Sequence, residues 1–220
     1  MKMDWRAKHQ EIIHSFLTFL NQQSDQYILK GGTALLMCYQ LDRFSEDIDL
    51  DGKGRQIAKI IDRFCKYNHY TYRIAKDTKT VMRYMINYGK LGKPLKIEIS
   101  FRRKVIKEEE FKKINDILVY TIDILAIMKS NAYTSRDKIR DLYDLTFIVN
   151  NHFEILSSQT ISLIQSAIEY KGIEQFDYII KEQQDELINK EKLIDDFLLM
   201  FERLGLLLEN EEKHLLVTNK

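Results

Sequence analysis

"YILKGGTALLMCYQLDRFSEDIDLDG", Tyr27 to Gly52, sets two adjacent glycines and a threonine ahead of an apolar run, then two aspartates one residue apart. Glycine and aspartate are poor strand and helix formers, so their use here needs a reason. Tyr27–Lys30 reads as a short strand ending at Gly31-Gly32, and Thr33 is placed to cap a helix through "ALLMCYQL". "EDIDLDG" alternates, so Asp47 and Asp49 share one face of a second strand while Ile48 and Leu50 share the other. Two readings follow: ordinary loop punctuation, or a phosphate cradle facing a metal-binding carboxylate pair.

Outward from this stretch the chain divides in character. Ile12, Ile13, Phe16, Leu17 and Leu20 recur at helical spacing, as do Ile57, Ile60, Ile61 and Phe64. "YTYRIAK" and "TVMRYMINYG" are rich in β-branched and aromatic residues and read as a hairpin around Asp77–Lys79. In "LKIEISF" the residues Leu95, Ile97, Ile99 and Phe101 line one face and Lys96, Glu98 and Ser100 the other, the clearest strand pattern in the sequence. "ILVYTI" is a further short strand, and beyond it only helical patterns occur: "IDILAIMKSNAY", "SRDKIRDLYDLTFIVN", "ISLIQSAIEYKG", "EQFDYIIKEQQDELI" and "EKLIDDFLLMFERLGLLLE". The expected organisation is therefore α+β: a mixed-sheet domain over residues 1–120 and an all-α domain over 121–220.

Composition narrows the function classes. With 45% hydrophobic and 30% charged residues, the 220-residue chain has the make-up of a globular protein with a real core. A net charge of +1 rules out a general electrostatic attraction to polyanions, so any nucleic-acid surface must be local. Cys38 and Cys65 sit inside apolar helical patterns and read as packed thiols of a reducing compartment. "MKMDWRAKHQEIIHSFL" carries charges where a signal sequence needs an apolar core, and no run approaches the roughly 20 apolar residues of a membrane span. A soluble cytoplasmic protein without a membrane partner is expected.

Taken together, the motifs point to nucleotide chemistry. A strand, a Gly-Gly-Thr bend and a helix N-terminus present backbone N–H groups, a hydroxyl and the positive end of a helix dipole, which suits phosphate oxygens. Asp47 and Asp49 projecting together repel each other unless a cation lies between them, and hard oxygen ligands suit Mg²⁺. Glu98, on a polar strand face, is the candidate third carboxylate of a set that holds one or two such ions for phosphoryl or nucleotidyl transfer. Arg43 is either a phosphate contact or a brace for the loop. The five histidines match no zinc spacing, and the absence of a G-x-x-x-x-G-K-[ST] motif excludes a P-loop NTPase.

The stretch "LKGGTALLMCYQLDRFSEDIDL" closely resembles the first motif of the AbiEii/AbiGii nucleotidyltransferase toxins, which include the MenT toxins, within the DNA polymerase β-like nucleotidyltransferase superfamily. Gly31, Gly32, Thr33, Asp47 and Asp49 fit the pattern Gly-Gly-Ser/Thr then Asp-x-Asp, with a slightly longer spacer. Lys96 and Glu98 meet the second motif, Lys-x-Asp, with glutamate in place of aspartate. Lys129, Asp141 and Asp144 meet the third. The fourth, a lone C-terminal Asp, is too degenerate to place. The resemblance spans roughly residues 27–150 and implies a polymerase β-like domain followed by a helical domain that closes the nucleotide cleft.

It also implies transfer of a nucleoside monophosphate from an NTP to an acceptor, typically the tRNA 3′ end, with Mg²⁺ or Mn²⁺ as cofactor and a cognate antitoxin as partner. Asp47, Asp49 and Glu98 would hold metal. Gly31, Gly32, Thr33, Arg43, Lys96, Lys129 and Asp144 would contact nucleotide, and Lys129 and Asp141 would join the carboxylates in catalysis. Read without the family, Asp141 and Asp144 lie three apart on one helix face, and Lys129 sits a helix earlier where it could pair with them. Basic clusters at Arg102–Lys104 and Arg136–Arg140 are candidate RNA surfaces, the first expected to border the site. The rival readings are nucleotidylation of a protein or small molecule such as an aminoglycoside, and a catalytically inactive nucleotide-binding module.

Overall fold

The computed structural model describes residues 5–89 and 93–207, and the chain divides into two compact units, 1–121 and 122–220. The first runs α1 (Trp5–Gln23), β1 (Tyr27–Lys30), α2 (Gly31–Tyr39), β2 (Ile48–Gly52), α3 (Ile57–Tyr67), β3 (Thr71–Asp77), β4 (Val81–Asn87), β5 (Leu95–Ser100), β6 (Phe111–Ile114) and β7 (Ile117–Tyr120). The seven strands form one mixed sheet in the order β3-β4-β5-β2-β1-β7-β6. β2 pairs with β1 antiparallel and with β5 parallel, and β1 pairs with β7 parallel.

Alternation along the strands makes the sheet two-faced. On β5, Leu95, Ile97 and Ile99 are buried, while Lys96, Glu98 and Ser100 between them are only partly covered. Leu50, Tyr84 and Ile86 are likewise buried, and α1 and α3 contribute Ile13, Phe16, Leu17, Leu20, Ile61 and Phe64 to the same core. Phe16 meets Phe64 edge-to-face with ring centroids 5.2 Å apart, the geometry that the aromatic quadrupole favours. The apolar face is thereby committed to packing, and the chemistry-bearing residues of β2 and β5 are left on the other face.

Three details differ from the sequence expectation. Thr33 does not cap a helix: α2 already begins at Gly31, Lys30 is its N-cap without a side-chain hydrogen bond, and Thr33 lies within the first turn. The strand β6, "FKKI", was not foreseen, because its two lysines break the apolar pattern; it lies at the sheet edge, where lysine is tolerated. The two expected helices before residue 183 form one run, broken at Gly172 (φ 72°, ψ 172°).

The second unit contains α4 (Ile122–Ser135), α5 (Ile139–His152), α6 (Ser158–Glu182) and α7 (Lys190–Arg203). Ser157 and Asn189 cap α6 and α7, accepting from the backbone N–H of Thr160 (3.2 Å) and Lys192 (3.1 Å). Leu125, Leu142, Leu145, Ile148, Ile164, Phe197 and Met200 form its buried core. No helix among the described residues is long and apolar enough to cross a membrane.

Candidate active site

The bend from β1 into α2 shows why glycine stands at 31 and 32. Gly31 takes φ +76°, a conformation that disfavours a side chain, and a Cβ there would lie 3.1 Å from Asp49 Oδ2. A Cβ on Gly32 would lie 2.8 Å from Arg43 Nη2 and 3.0 Å from Ser45 Oγ. The glycines thus admit the protein's own aspartate and arginine against the helix start. Thr33 draws the following loop in: its hydroxyl hydrogen-bonds with Ser45 Oγ at 2.9 Å and donates to the Asp47 carbonyl. Buried Arg43 donates from Nη1 to the Phe44 carbonyl at 3.0 Å.

Register then lines up a charged row across the open face. Lys30 is the Cα partner of Asp49, Asp49 of Glu98, and Glu98 of Arg83. Side chains of directly opposed residues share a face, so four strands present these groups side by side. Arg83 binds Glu98 Oε2 through Nε (2.7 Å) and Nη2 (2.5 Å), and Lys96 Nζ binds Asp47 Oδ2 (2.5 Å). Asp49 lies between these pairs. Burial pushes its carboxyl above the usual range; the Lys96 charge opposes the shift, and the negative charges of Asp47 and Glu98 add to it.

Could these residues hold a divalent cation? Among the described residues no group of three or more His, Cys, Asp or Glu is arranged to do so. Asp47 and Asp49 fit one as a pair: they are hard oxygen donors on one face, and Asp49 feels the field of its neighbour. Glu98 is held by the Arg83 guanidinium.

Behind the pair lies a second layer that the sequence reading missed. Asp51, 3% exposed, accepts from Lys30 Nζ (2.5 Å) and from the Tyr120 hydroxyl (2.9 Å). Burial and the adjacent Asp51 push the Tyr120 hydroxyl up, which keeps it a donor. Arg103 lies over the Tyr120 ring at 5.2 Å and binds Glu110 at 2.5 Å, so one member of the Arg102–Lys104 cluster reaches this network. Asp51 was legible in principle, since it continues the 47, 49 alternation; Lys30 and Arg83 become visible only through register.

The third constellation belongs to the helical unit. α4 and α5 bring Lys129 Nζ to 2.6 Å from Asp144 Oδ2 and 3.3 Å from Asp141 Oδ1. Arg136 grips Asp141 as well, at 2.6 Å (Nε to Oδ2) and 3.1 Å (Nη2 to Oδ1). Burial raises the Asp141 carboxyl, but the Arg136 hydrogen bonds and the Lys129 charge outweigh it and leave the group below its ordinary value. Lys129, Asp141 and Asp144 are thus brought together as an ion-paired cluster.

A mixed sheet entered through a strand–Gly-Gly–helix bend, with acidic residues on its open face, is the architecture of a polymerase β-like nucleotidyltransferase. Two solved structures resemble the chain over nearly all of its length. JHP933 from Helicobacter pylori is 25% identical with a TM-score of 0.77, covering 100% of both chains. A second H. pylori protein, assigned as a nucleotidyltransferase, is 26% identical with a TM-score of 0.75, covering 94% of this chain and 97% of that one. Among curated proteins nothing matches. The chain belongs to the nucleotidyl transferase AbiEii toxin family (type IV toxin–antitoxin system), whose family model matches residues 18–214. It is a nucleotidyltransferase.

Proposed function

We propose that the protein transfers a nucleoside monophosphate from an NTP to the 3′ end of tRNA, releasing pyrophosphate, and that it acts as a toxin restrained by a cognate antitoxin. The observation that carries the nucleotide reading is the placement of Asp49 against the Gly31 bend at the head of α2, with the Asp47 carbonyl tied to Thr33. Asp47 and Asp49 would hold a Mg²⁺ or Mn²⁺ ion, which would supply Lewis-acid polarisation of the triphosphate. The first-turn amides of α2 have no intrahelical acceptor and offer donors for phosphate oxygens. Lys96, ion-paired with Asp47 Oδ2 at 2.5 Å, would turn its ammonium to a phosphate. Lys129, Asp141 and Asp144 enter the reading through the family resemblance, Lys129 and Asp144 as nucleotide contacts and Asp141 in catalysis. Transfer to a 3′ end would block aminoacylation and stop translation.

The test is incubation with each labelled NTP, Mg²⁺ and total RNA, followed by sequencing of extended 3′ ends. Labelled tRNA from wild type and none from Asp49→Asn is the expected result. Label that goes instead to protein or to an aminoglycoside removes the tRNA acceptor, and undiminished transfer by Asp49→Asn removes the proposed site.

A further inference from the structure

The open face continues past the carboxylates to the sheet edge, and its charge changes sign on the way. Beyond Glu98 come Arg83 on β4 and then β3, all seven residues of which are exposed. Arg73 is the Cα partner of Met85, which is the partner of Lys96, so Arg73 stands on the open face. Lys76 belongs to the opposite face by simple alternation, since it lies three residues further along. A register shift between Ile74 and Lys76 changes this and makes Lys76 the partner of Arg83. Bulges re-aim side chains in this way. Here the bulge recruits a lysine to the row Lys76–Arg83–Glu98–Asp49–Lys30.

Arg83 and Lys96 are matched by Glu98 and Asp47. Arg73 and Lys76 have no ion-pair partner among the described residues. The face therefore grades from carboxylates on β2 to uncompensated cations on β3, three strand spacings or about 14 Å away. Basic side chains on a strand edge also serve to block edge-to-edge pairing, but that purpose does not require both to point to one face.

We propose that β3 and β4 form the acceptor track, with Arg73 and Lys76 binding the sugar–phosphate backbone of a single-stranded nucleic acid whose 3′ hydroxyl lies at Asp47 and Asp49. This rests on the nucleotidyl-transfer reading above and deepens it. The open face of the track holds phosphates and presents no aromatic side chain, since Tyr72 of β3 lies on the opposite face with Ile86, so binding is salt-dependent and tolerant of sequence. A polycationic small acceptor is repelled by the same charges.

The experiment measures anisotropy of a labelled single-stranded RNA over a salt series, with a DNA oligonucleotide of the same sequence beside it. The charge-neutral variant Arg73→Gln/Lys76→Gln is compared with Arg102→Gln/Lys104→Gln on the loop after β5. Loss of two phosphate contacts should flatten the log–log salt slope by about 1.4 and weaken binding about tenfold or more at low salt. In the transfer assay the same variant should raise KM for the acceptor and leave KM for nucleotide in place. Equal binding of RNA and DNA assigns recognition to the backbone, and RNA preference adds the 2′-hydroxyl; both support the track. An unchanged slope at 73/76, or a larger effect at 102/104, overturns it. Asp49→Asn separates the two ideas: if it loses transfer but binds RNA, the site and the track stand independently; if it retains transfer, the site fails whatever the track does.

Discussion

Asp49 carries a charge that the folded chain resists. Its carboxyl is raised by burial and by Asp47 and Glu98, against the pull of Lys96 and Lys30. Between its unfolded-state pKa and its raised folded value only the native state holds the proton, so stability falls as pH climbs through that window. Asp49→Asn should therefore melt higher than wild type at neutral pH without divalent cation, while losing about 10²-fold or more in transfer. Thermal melts at pH 4 and pH 8 check the first part, because the gap should be larger at pH 8. Gly31→Ala places a Cβ 3.1 Å from Asp49 Oδ2 at φ +76°. Left-handed strain alone costs about 1–2 kcal/mol, or roughly 2–8 °C in Tm, with the displaced carboxylate adding a loss of activity. A Gly31→Ala protein that melts and turns over like wild type would show that the bend has no need of glycine.

At the scale of elements, what could be read from the sequence was what alternation and helical period encode. β5 was legible because Leu95, Ile97 and Ile99 alternate with Lys96, Glu98 and Ser100, and the Asp47/Asp49 face followed from the same rule. Pairing was not legible, because it depends on which strands lie beside each other: nothing in the sequence sets Arg83 against Glu98, or moves Lys76 through a bulge. Thr33 was misread for a similar reason, since a cap and a tie to Ser45 and Asp47 call for the same hydroxyl. The α4–α5 hairpin gives an element-scale test. Asp141 titrates below its ordinary value, so the stability it confers is present above the unfolded-state pKa and is lost as pH falls through the folded one. Arg136→Gln removes the paired guanidinium hydrogen bonds to Asp141 and should move the acid-unfolding midpoint of the helical unit upward, followed by far-UV circular dichroism. Lys129→Met should destabilise more, by about 3–5 kcal/mol, because Asp144 is fully buried and loses its closest cation.

For the whole molecule, a net charge of +1 conceals a strong local arrangement. Asp47 and Asp49 lie beside Lys96 and Lys30, with Lys96 Nζ ion-paired to Asp47 Oδ2 and Lys30 Nζ to Asp51 Oδ1. On the proposed role, a divalent cation held by Asp47 and Asp49 would have to displace the Lys96 ammonium from Asp47 and would meet Asp49 in its ionised form. The second requirement couples binding to a proton. Calorimetric titration of the protein with preformed Mg²⁺–NTP, in two buffers of different ionisation enthalpy, should show proton release below the raised Asp49 value, fading as pH rises above it. Apparent affinity should strengthen over the same interval. At 100 times the dissociation constant the bound state gains about 2.7 kcal/mol, so Mg²⁺ with NTP should raise Tm by several degrees in wild type. In Asp49→Asn both the proton release and most of this shift should vanish. A full shift in that variant would place the cation elsewhere and leave the Asp47–Asp49 pair without its assigned role.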